Sequence, residues 1–224
     1  MRAAFEAAAA AQRPTFVAYI LAGFPTDDAA TDAAEAALRC GADILEVGIP
    51  FSDPLADGPV IADAGRVALA HGGGLDSALR MIAALRARDL DQPILAMSYL
   101  NPLFAAGAER ALQRLNEARA DGLIFPDLPA GEMPAFERAA ADHGLALTFL
   151  VAPNTEPARL EAAINASTGF LYVVPLLGVT GARDRVAEGA AALLQRVRSA
   201  AAERVPVAAG FGISTPEQAR ELGA

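Results

Sequence analysis

The chain has 224 residues, 54% of them hydrophobic, and carries a formal net charge of −9. This acidic balance argues against nucleic-acid binding, because phosphates need a basic protein surface. No apolar run approaches the ~18 residues of a membrane span, and the N-terminus has no signal-peptide core. The lone Cys40 cannot form an internal disulfide. We therefore expect a cytoplasmic protein.

Short apolar runs rich in β-branched residues alternate along the chain with stretches of helical period. An Ala-rich helix over Ala3–Ala11 is expected to cover one end of the fold. The pattern then predicts seven strands, at Phe16–Leu21, Asp43–Val47, Ile94–Ser98, Gly122–Phe125, Ala146–Val151, Phe170–Val174 and Val205–Ala209. Helices are predicted at Asp28–Cys40, Pro59–Ala70, Leu75–Arg88, Glu109–Ala120, Glu132–His143, Pro157–Asn165 and Val186–Ala202, with a last one beginning at Thr215.

The strands are continuous apolar runs, which is typical of a parallel sheet covered by helices on its faces. No linker or low-complexity segment divides the chain, so we expect one domain over residues 1–224. Seven strands leave two architectures open. One is a doubly wound open sheet, and the other is a (β/α)8-type barrel whose eighth strand and helix are missing from this chain.

The stretch LEVGIPFSDPLADG, from Leu45 to Gly58, places Glu46 inside a predicted strand. One interpretation is a core carboxylate held by an ion pair or hydrogen bonds. The other is catalytic, because burial is costly for an unpaired carboxylate and raises its pKa toward the range that suits proton transfer. Asp53, in Ser-Asp-Pro, is interpreted as a turn-capping residue.

The basic residues restrict the chemistry further, because all 18 are arginine and the chain has no lysine. This excludes Schiff-base catalysis, a lysine general base and a P-loop. His71 and His143 are far apart in sequence, each at the end of a predicted helix, so no zinc site is expected. We expect Cys40 to be a buried cysteine at a helix end rather than a nucleophile.

Several motifs together resemble the tryptophan synthase alpha subunit family. LEVGIPFSDPLADGPVIADA carries the strongest similarity, and NPLFAAG, FPDLP, LLGVTGAR and AAGFGISTPEQA follow in the family's order and spacing. The resemblance covers essentially the whole chain. It implies a TIM barrel, here without the eighth strand and the loop that follows it.

The resemblance also implies an activity, the reversible cleavage of indole-3-glycerol phosphate into indole and glyceraldehyde 3-phosphate. Glu46 matches the family's catalytic glutamate, and Asp57 matches its second catalytic carboxylate. A retro-aldol step needs an electron sink, and protonation of indole C3 lets the substrate itself supply one. Glu46 would be the acid and base in that scheme, and Asp57 would stabilise the developing cation near the ring N–H.

The same resemblance assigns the remaining substrate contacts. Gly181 and Gly212 match phosphate-binding positions, where backbone N–H groups bind an anion without a basic side chain. Thr180 matches a threonine of a mobile loop whose closure excludes water. An apolar slot for the indole is expected from six residues: Tyr19, Met97, Ile124, Leu150, Tyr172 and Phe211. The Tyr172 hydroxyl is expected to reach a neighbouring polar group.

A beta subunit is the partner that the resemblance implies, in an alpha-beta-beta-alpha tetramer. Pyridoxal phosphate would be on that subunit, and no cofactor is expected on this chain. Three loop segments match the family's face that contacts the beta subunit: Pro50–Gly58, Asn101–Gly107 and Pro126–Gly131. Three alternatives stay open: a stand-alone indole-releasing lyase, a truncated chain that only binds the beta subunit, and another phosphate-binding barrel enzyme such as a phosphosugar isomerase.

Overall fold

A computed structural model describes residues 1–174 and 183–210. In this part of the chain the strands are β1 (Val17–Leu21), β2 (Ile44–Gly48), β3 (Ile94–Met97), β4 (Gly122–Ile124), β5 (Ala146–Val151), β6 (Leu171–Val173) and β7 (Val207–Ala209). The helices are α1 (Arg2–Ala10), α2 (Asp27–Arg39), α3 (Pro59–Ala70), α4 (Leu75–Ala87), α5 (Leu100–Ala105), α6 (Ala108–Glu117), α7 (Pro134–Asp142), α8 (Pro157–Ala166) and α9 (Arg183–Ala201).

The seven strands form one parallel sheet in the order β1-β2-β3-β4-β5-β6-β7, so each strand lies beside its successor in the chain. A doubly wound sheet reverses its strand order at a switch point. No such reversal occurs between the described strands, and the winding is that of a (β/α) barrel. The prediction of seven parallel strands is therefore confirmed, and the doubly wound alternative is wrong.

Local sequence explains where several helices begin. The Thr26 side chain accepts the N–H of Ala29 at 3.2 Å. Acidic residues occupy the first turn of α2, where their negative charge interacts favourably with the helix dipole. Three further helices, α3, α7 and α8, begin at a proline, whose missing N–H costs nothing in the first turn. None of the helices in the described ranges is long and apolar enough to span a membrane.

Two layers of apolar residues lie on the two faces of the sheet. The larger one fills the space between the sheet and the surrounding helices. The smaller one lies on the inner, concave face and contains five fully or nearly fully buried residues: Ile44, Leu95, Met97, Ile124 and Phe170. Helix α1 packs on this inner layer through Phe5, whose ring centroid is 5.7 Å from that of Phe170. The prediction of an N-terminal helix covering one end is confirmed.

The structure corrects several details. The segment after β3, expected as a loop, contains the short helix α5, whose first N–H is accepted by the Asp127 carboxylate at 3.1 Å. Cys40 is exposed rather than buried, because it caps the C-terminus of α2 at the outer surface. Strand β7 begins two residues later than predicted. The helix predicted from Thr215 lies outside the described residues.

Candidate active site

The strand register places the predicted pocket residues on one face of the sheet. Neighbouring strands align Tyr19 with Glu46, Met97 with Ile124, and Leu150 with Tyr172. Residues aligned in this way point to the same side of a parallel sheet. All five apolar or aromatic positions belong to the inner layer, so the structure brings them together around Glu46.

Glu46 is the buried carboxylate of this inner face. It is 2% exposed, and its Oε2 accepts a long hydrogen bond of 3.5 Å from the Tyr172 hydroxyl. No donor among the described residues reaches Oε1. Burial raises the pKa of Glu46 to about 8, and the Tyr172 bond offsets only part of this shift. At neutral pH most of this carboxyl is protonated and can donate a proton. The sequence left open a core carboxylate held by an ion pair or hydrogen bonds. No ion pair of Glu46 is found among the described contacts.

Asp57 lies in the loop that follows β2, near the end of the same strand that carries Glu46. Its carboxyl is half-buried, and burial raises its pKa above the ordinary value. It lines one small cavity with Tyr19 and Tyr99. Burial, together with the Asp57 charge, raises the pKa of both tyrosines. The two predicted catalytic carboxylates therefore lie at the same, C-terminal end of the sheet.

Two tyrosines of the inner face lie over glycines at the ends of the neighbouring strands. A Cβ built on Gly48 would be 2.2 Å from the Tyr19 hydroxyl, and one built on Gly210 would be 2.1 Å from that of Tyr172. Only glycine leaves room for these rings. Burial and the nearby Glu46 raise the pKa of Tyr172, so its hydroxyl stays protonated and donates to the carboxylate.

Sequence reasoning missed Tyr99, which follows β3 at the same end of the sheet. Its hydroxyl accepts the backbone N–H of Ala56 at 2.8 Å, next to Asp57. The signal in the sequence was an aromatic residue directly after an apolar strand, in the segment Ser98–Leu100.

Among the described residues, a small and a larger cavity lie at opposite ends of the sheet. The one beside the carboxylates is about 10 Å³, and Tyr19, Asp57, Met97, Tyr99 and Pro126 are among its lining residues. A larger cavity of about 530 Å³ lies at the N-terminal end, beside α1. Two of the acids that line it, Asp43 and Asp121, are paired with arginines. Chemistry rather than size therefore assigns the site, since the buried carboxyl with a raised pKa lies at the C-terminal end.

The other predicted site residues are Thr180, Gly181, Phe211 and Gly212, and all four lie outside the described residues. No group of three or more His, Cys, Asp or Glu side chains in the described ranges is arranged to hold a metal ion.

The fold and site define a class, a parallel (β/α) barrel with carboxylates at the C-terminal ends of its strands, where barrel enzymes have their active sites. The family model for the tryptophan synthase alpha chain matches residues 5–224. The chain belongs to this family.

Individual relatives agree with this assignment. The tryptophan synthase alpha chain of Methanosarcina mazei is 45% identical over 206 residues, which cover 92% of this chain and 73% of that one. The crystal structure of the Legionella pneumophila alpha subunit has a TM-score of 0.88 at 34% identity, covering 99% of this chain and 82% of that one. A tryptophan synthase α2β2 complex from Pyrococcus furiosus has a TM-score of 0.85 at 36% identity, covering 94% and 84%.

Proposed function

We propose that this chain is a lyase that cleaves indole-3-glycerol phosphate into indole and glyceraldehyde 3-phosphate, in the last step of L-tryptophan biosynthesis. The observation that carries the proposal is Glu46, a carboxyl that is 2% exposed and whose pKa burial raises to about 8, on a barrel of the alpha-chain family. Such a group is protonated at neutral pH yet close enough to its pKa to give up and regain a proton.

Glu46 supplies both proton transfers of the reaction. The protonated carboxyl donates its proton to indole C3, which makes the ring a cationic indolenine. The bond between C3 and the side chain then breaks, and its electron pair restores the aromatic indole. The Glu46 carboxylate takes the proton of the side-chain hydroxyl as the aldehyde forms. The proton count balances, and Glu46 ends the cycle protonated.

Asp57 and the tyrosines provide the surroundings that this chemistry needs. Asp57 stabilises the positive charge that develops at the ring nitrogen. The Tyr172 hydroxyl holds Oε2 of Glu46, which leaves Oε1 to face the substrate. The apolar slot for the indole consists of Tyr19, Met97, Ile124, Leu150, Tyr172 and Phe211, with Thr180 closing the site and Gly181 and Gly212 binding the phosphate.

A beta subunit receives the indole, in an alpha-beta-beta-alpha tetramer that carries pyridoxal phosphate on the beta chain and none on this one. Two exposed apolar side chains at the C-terminal end of the sheet support this docking face. Leu55 is 93% exposed within Pro50–Gly58, and Phe104 is 43% exposed within Asn101–Gly107. The third segment of the face is Pro126–Gly131. A biosynthetic enzyme of this kind acts in the cytoplasm.

Indole release tests the proposal. It is measured from indole-3-glycerol phosphate with and without beta subunit, for the unmodified chain, for Glu46→Gln and for a matched control, Glu117→Gln, on the exposed face of α6. We expect the beta subunit to accelerate indole release. Glu46→Gln should reduce the rate of release at least ~10³-fold, and Glu117→Gln should keep it within twofold of the unmodified chain.

The other outcomes separate the alternatives. Release that beta does not change would favour a stand-alone lyase. A folded chain that releases no indole in either condition, but binds beta protein in sedimentation, would be a non-catalytic partner, and the proposed activity would be wrong.

A further inference from the structure

Among the described residues, Tyr99 holds the loop that carries Asp57 from outside. The backbone N–H of Ala56 donates to the Tyr99 hydroxyl at 2.8 Å, immediately before Asp57. At the other end of the loop, the ring of Phe51 packs on the ring of Tyr99 with centroids 5.4 Å apart. Tyr99 is 6% exposed and thus firmly placed at the end of β3. One side chain therefore contacts both ends of the loop.

The remaining hydrogen bonds of the loop are internal. The N–H of Asp57 donates to the Pro54 carbonyl at 3.1 Å, and the N–H of Leu55 donates to the Asp53 carbonyl at 3.0 Å. In the described part of the chain, Tyr99 is the residue outside the loop that accepts a hydrogen bond from Phe51–Asp57. Internal bonds give the loop its shape, but they do not fix its position over the sheet.

We propose that Tyr99 is a positioning residue that holds Asp57 in place for catalysis. This inference rests on the proposed function, in which Asp57 stabilises the cation of the reaction. A neutral hydroxyl suits the task, because it accepts the Ala56 N–H without placing a second negative charge beside the Asp57 carboxylate. Burial raises the pKa of Tyr99 to about 12, so the hydroxyl keeps its proton throughout the working pH range.

The consequence is a specific kinetic effect. A displacement of ~1 Å in a reacting group can lower the rate as much as ~10²-fold. Tyr99→Phe keeps the ring on Phe51 and removes only the acceptor of the Ala56 N–H. We therefore expect kcat to fall roughly tenfold with KM within about twofold, because the positive charge that Asp57 stabilises appears mainly in the transition state.

A double-mutant cycle separates positioning of Asp57 from a general structural role. kcat for cleavage of indole-3-glycerol phosphate is measured with beta subunit for the unmodified chain, Tyr99→Phe, Asp57→Asn and the double variant. Asp57→Asn is expected to lower kcat by ~10²–10³-fold. If Tyr99 acts through Asp57, the double variant is no slower than Asp57→Asn alone.

Two results would overturn the inference and leave the proposed function standing. One is an unchanged kcat in Tyr99→Phe, and the other is a double variant in which the two losses multiply. If Asp57→Asn itself keeps full activity, the role of Asp57 is wrong, and the positioning role of Tyr99 is wrong with it.

A matched control comes from another loop at the same end of the sheet. The Thr155 hydroxyl accepts the N–H of Ala152 at 2.8 Å, in the loop between β5 and α8. Thr155→Val removes the acceptor of this hydrogen bond, which is internal to its loop, at constant side-chain size, and we expect kcat within twofold. If Tyr99→Phe is unfolded at the assay temperature, Phe51→Leu replaces it in the cycle, because it loosens the other contact between Tyr99 and the loop, the ring packing.

Discussion

Carboxylates at the two ends of the parallel sheet have opposite surroundings. At the N-terminal end, Asp43 binds Arg13 through two hydrogen bonds of 2.6 and 2.7 Å and accepts the N–H of Phe16. Asp121 repeats this arrangement two strands away, with Arg86 and the N–H of Ile94. At the C-terminal end, Glu46 and Asp57 have no ion pair with any described arginine, and Glu46 has a tyrosine hydroxyl instead.

The comparison shows how one fold uses the same functional group for two purposes. The guanidinium of Arg13 lowers the pKa of Asp43, whereas burial raises the pKa of Glu46 to about 8 and raises that of Asp57. A paired carboxylate stays ionised and ties neighbouring strands together. The buried Glu46 carboxyl, with its pKa raised to about 8, exchanges protons at neutral pH. Arg13 and Arg86 thus stabilise the end of the barrel that lies away from the chemistry.

The largest expected effect concerns the cost of burying Glu46. Its folded-state pKa lies above the unfolded value of 4.5, so the folded state binds the proton more tightly. Its contribution to stability is complete below pH ~4.5 and is lost as the pH rises toward about 8. At ~1.4 kcal/mol per pKa unit, the change amounts to several kcal/mol. The free energy of unfolding, from urea denaturation at pH 5 and pH 9, should fall across this range.

Glu46→Gln isolates this contribution from other titrations. Its stability should change less than that of the unmodified chain between pH 5 and pH 9, and at pH 9 the inactive variant should be the more stable protein. Equal pH dependence in both would show that Glu46 titrates normally. The paired acids do not confuse the result, because the depressed pKa of Asp43 costs stability only as the pH falls below its unfolded value of 3.8.

The next effect tests the opposite end of the sheet. Arg86 is 7% exposed and donates to the carbonyls of Leu90, Gln92 and Arg119 and to the Asp121 carboxylate. Arg86→Met leaves the three carbonyls without this donor and Asp121 without its charged partner, and we expect a loss of about 3 kcal/mol in the free energy of unfolding. Its kcat below the melting transition should stay within twofold. A loss of kcat without a matching loss of stability would contradict the view that the N-terminal end of the sheet serves stability and the C-terminal end serves catalysis.

Most of the fold was predictable because it depends on local pattern. The strand Ala146–Val151 and the helix Pro59–Ala70 have the bounds that the pattern predicts, since continuous apolar runs and an N-terminal proline mark them clearly. The pattern alone left barrel and doubly wound sheet open, because strand order depends on contacts between distant segments. Helix α5 was missed, since its first N–H is satisfied by Asp127, a residue 27 positions later in the chain.

The site was predictable only in part. A glutamate inside an apolar strand drew attention to Glu46, and the family resemblance identified Asp57. The Ala56–Tyr99 bond was out of reach, because it joins residues 43 positions apart through a backbone group that no side-chain pattern reveals. The same holds for the contact between Tyr19 and Gly48, which depends on the register of β1 and β2.

That contact leads to the smallest expected effect, at Gly48. A Cβ there would lie 2.2 Å from the hydroxyl oxygen of Tyr19 and 2.6 Å from its ring carbon Cζ, so Gly48→Ala must displace the ring. Tyr19 is only partly buried and can swing aside. We therefore expect little loss of stability. Because Tyr19 faces both carboxylates, kcat/KM should fall roughly tenfold, which corresponds to ~1.4 kcal/mol less stabilisation of the transition state.

Two variants sharpen this prediction. Gly65→Ala, in helix α3, is the control, because its Cβ would meet nothing closer than the Phe51 carbonyl at 4.0 Å, and it should leave kcat/KM within twofold. Tyr19→Leu should cost less activity in the Gly48→Ala background than in the unmodified chain, since the smaller side chain relieves the collision. Independent effects of the two substitutions would mean that Gly48 matters for a reason other than the ring above it, and that the Tyr19 ring contributes little to the carboxylate end of the barrel.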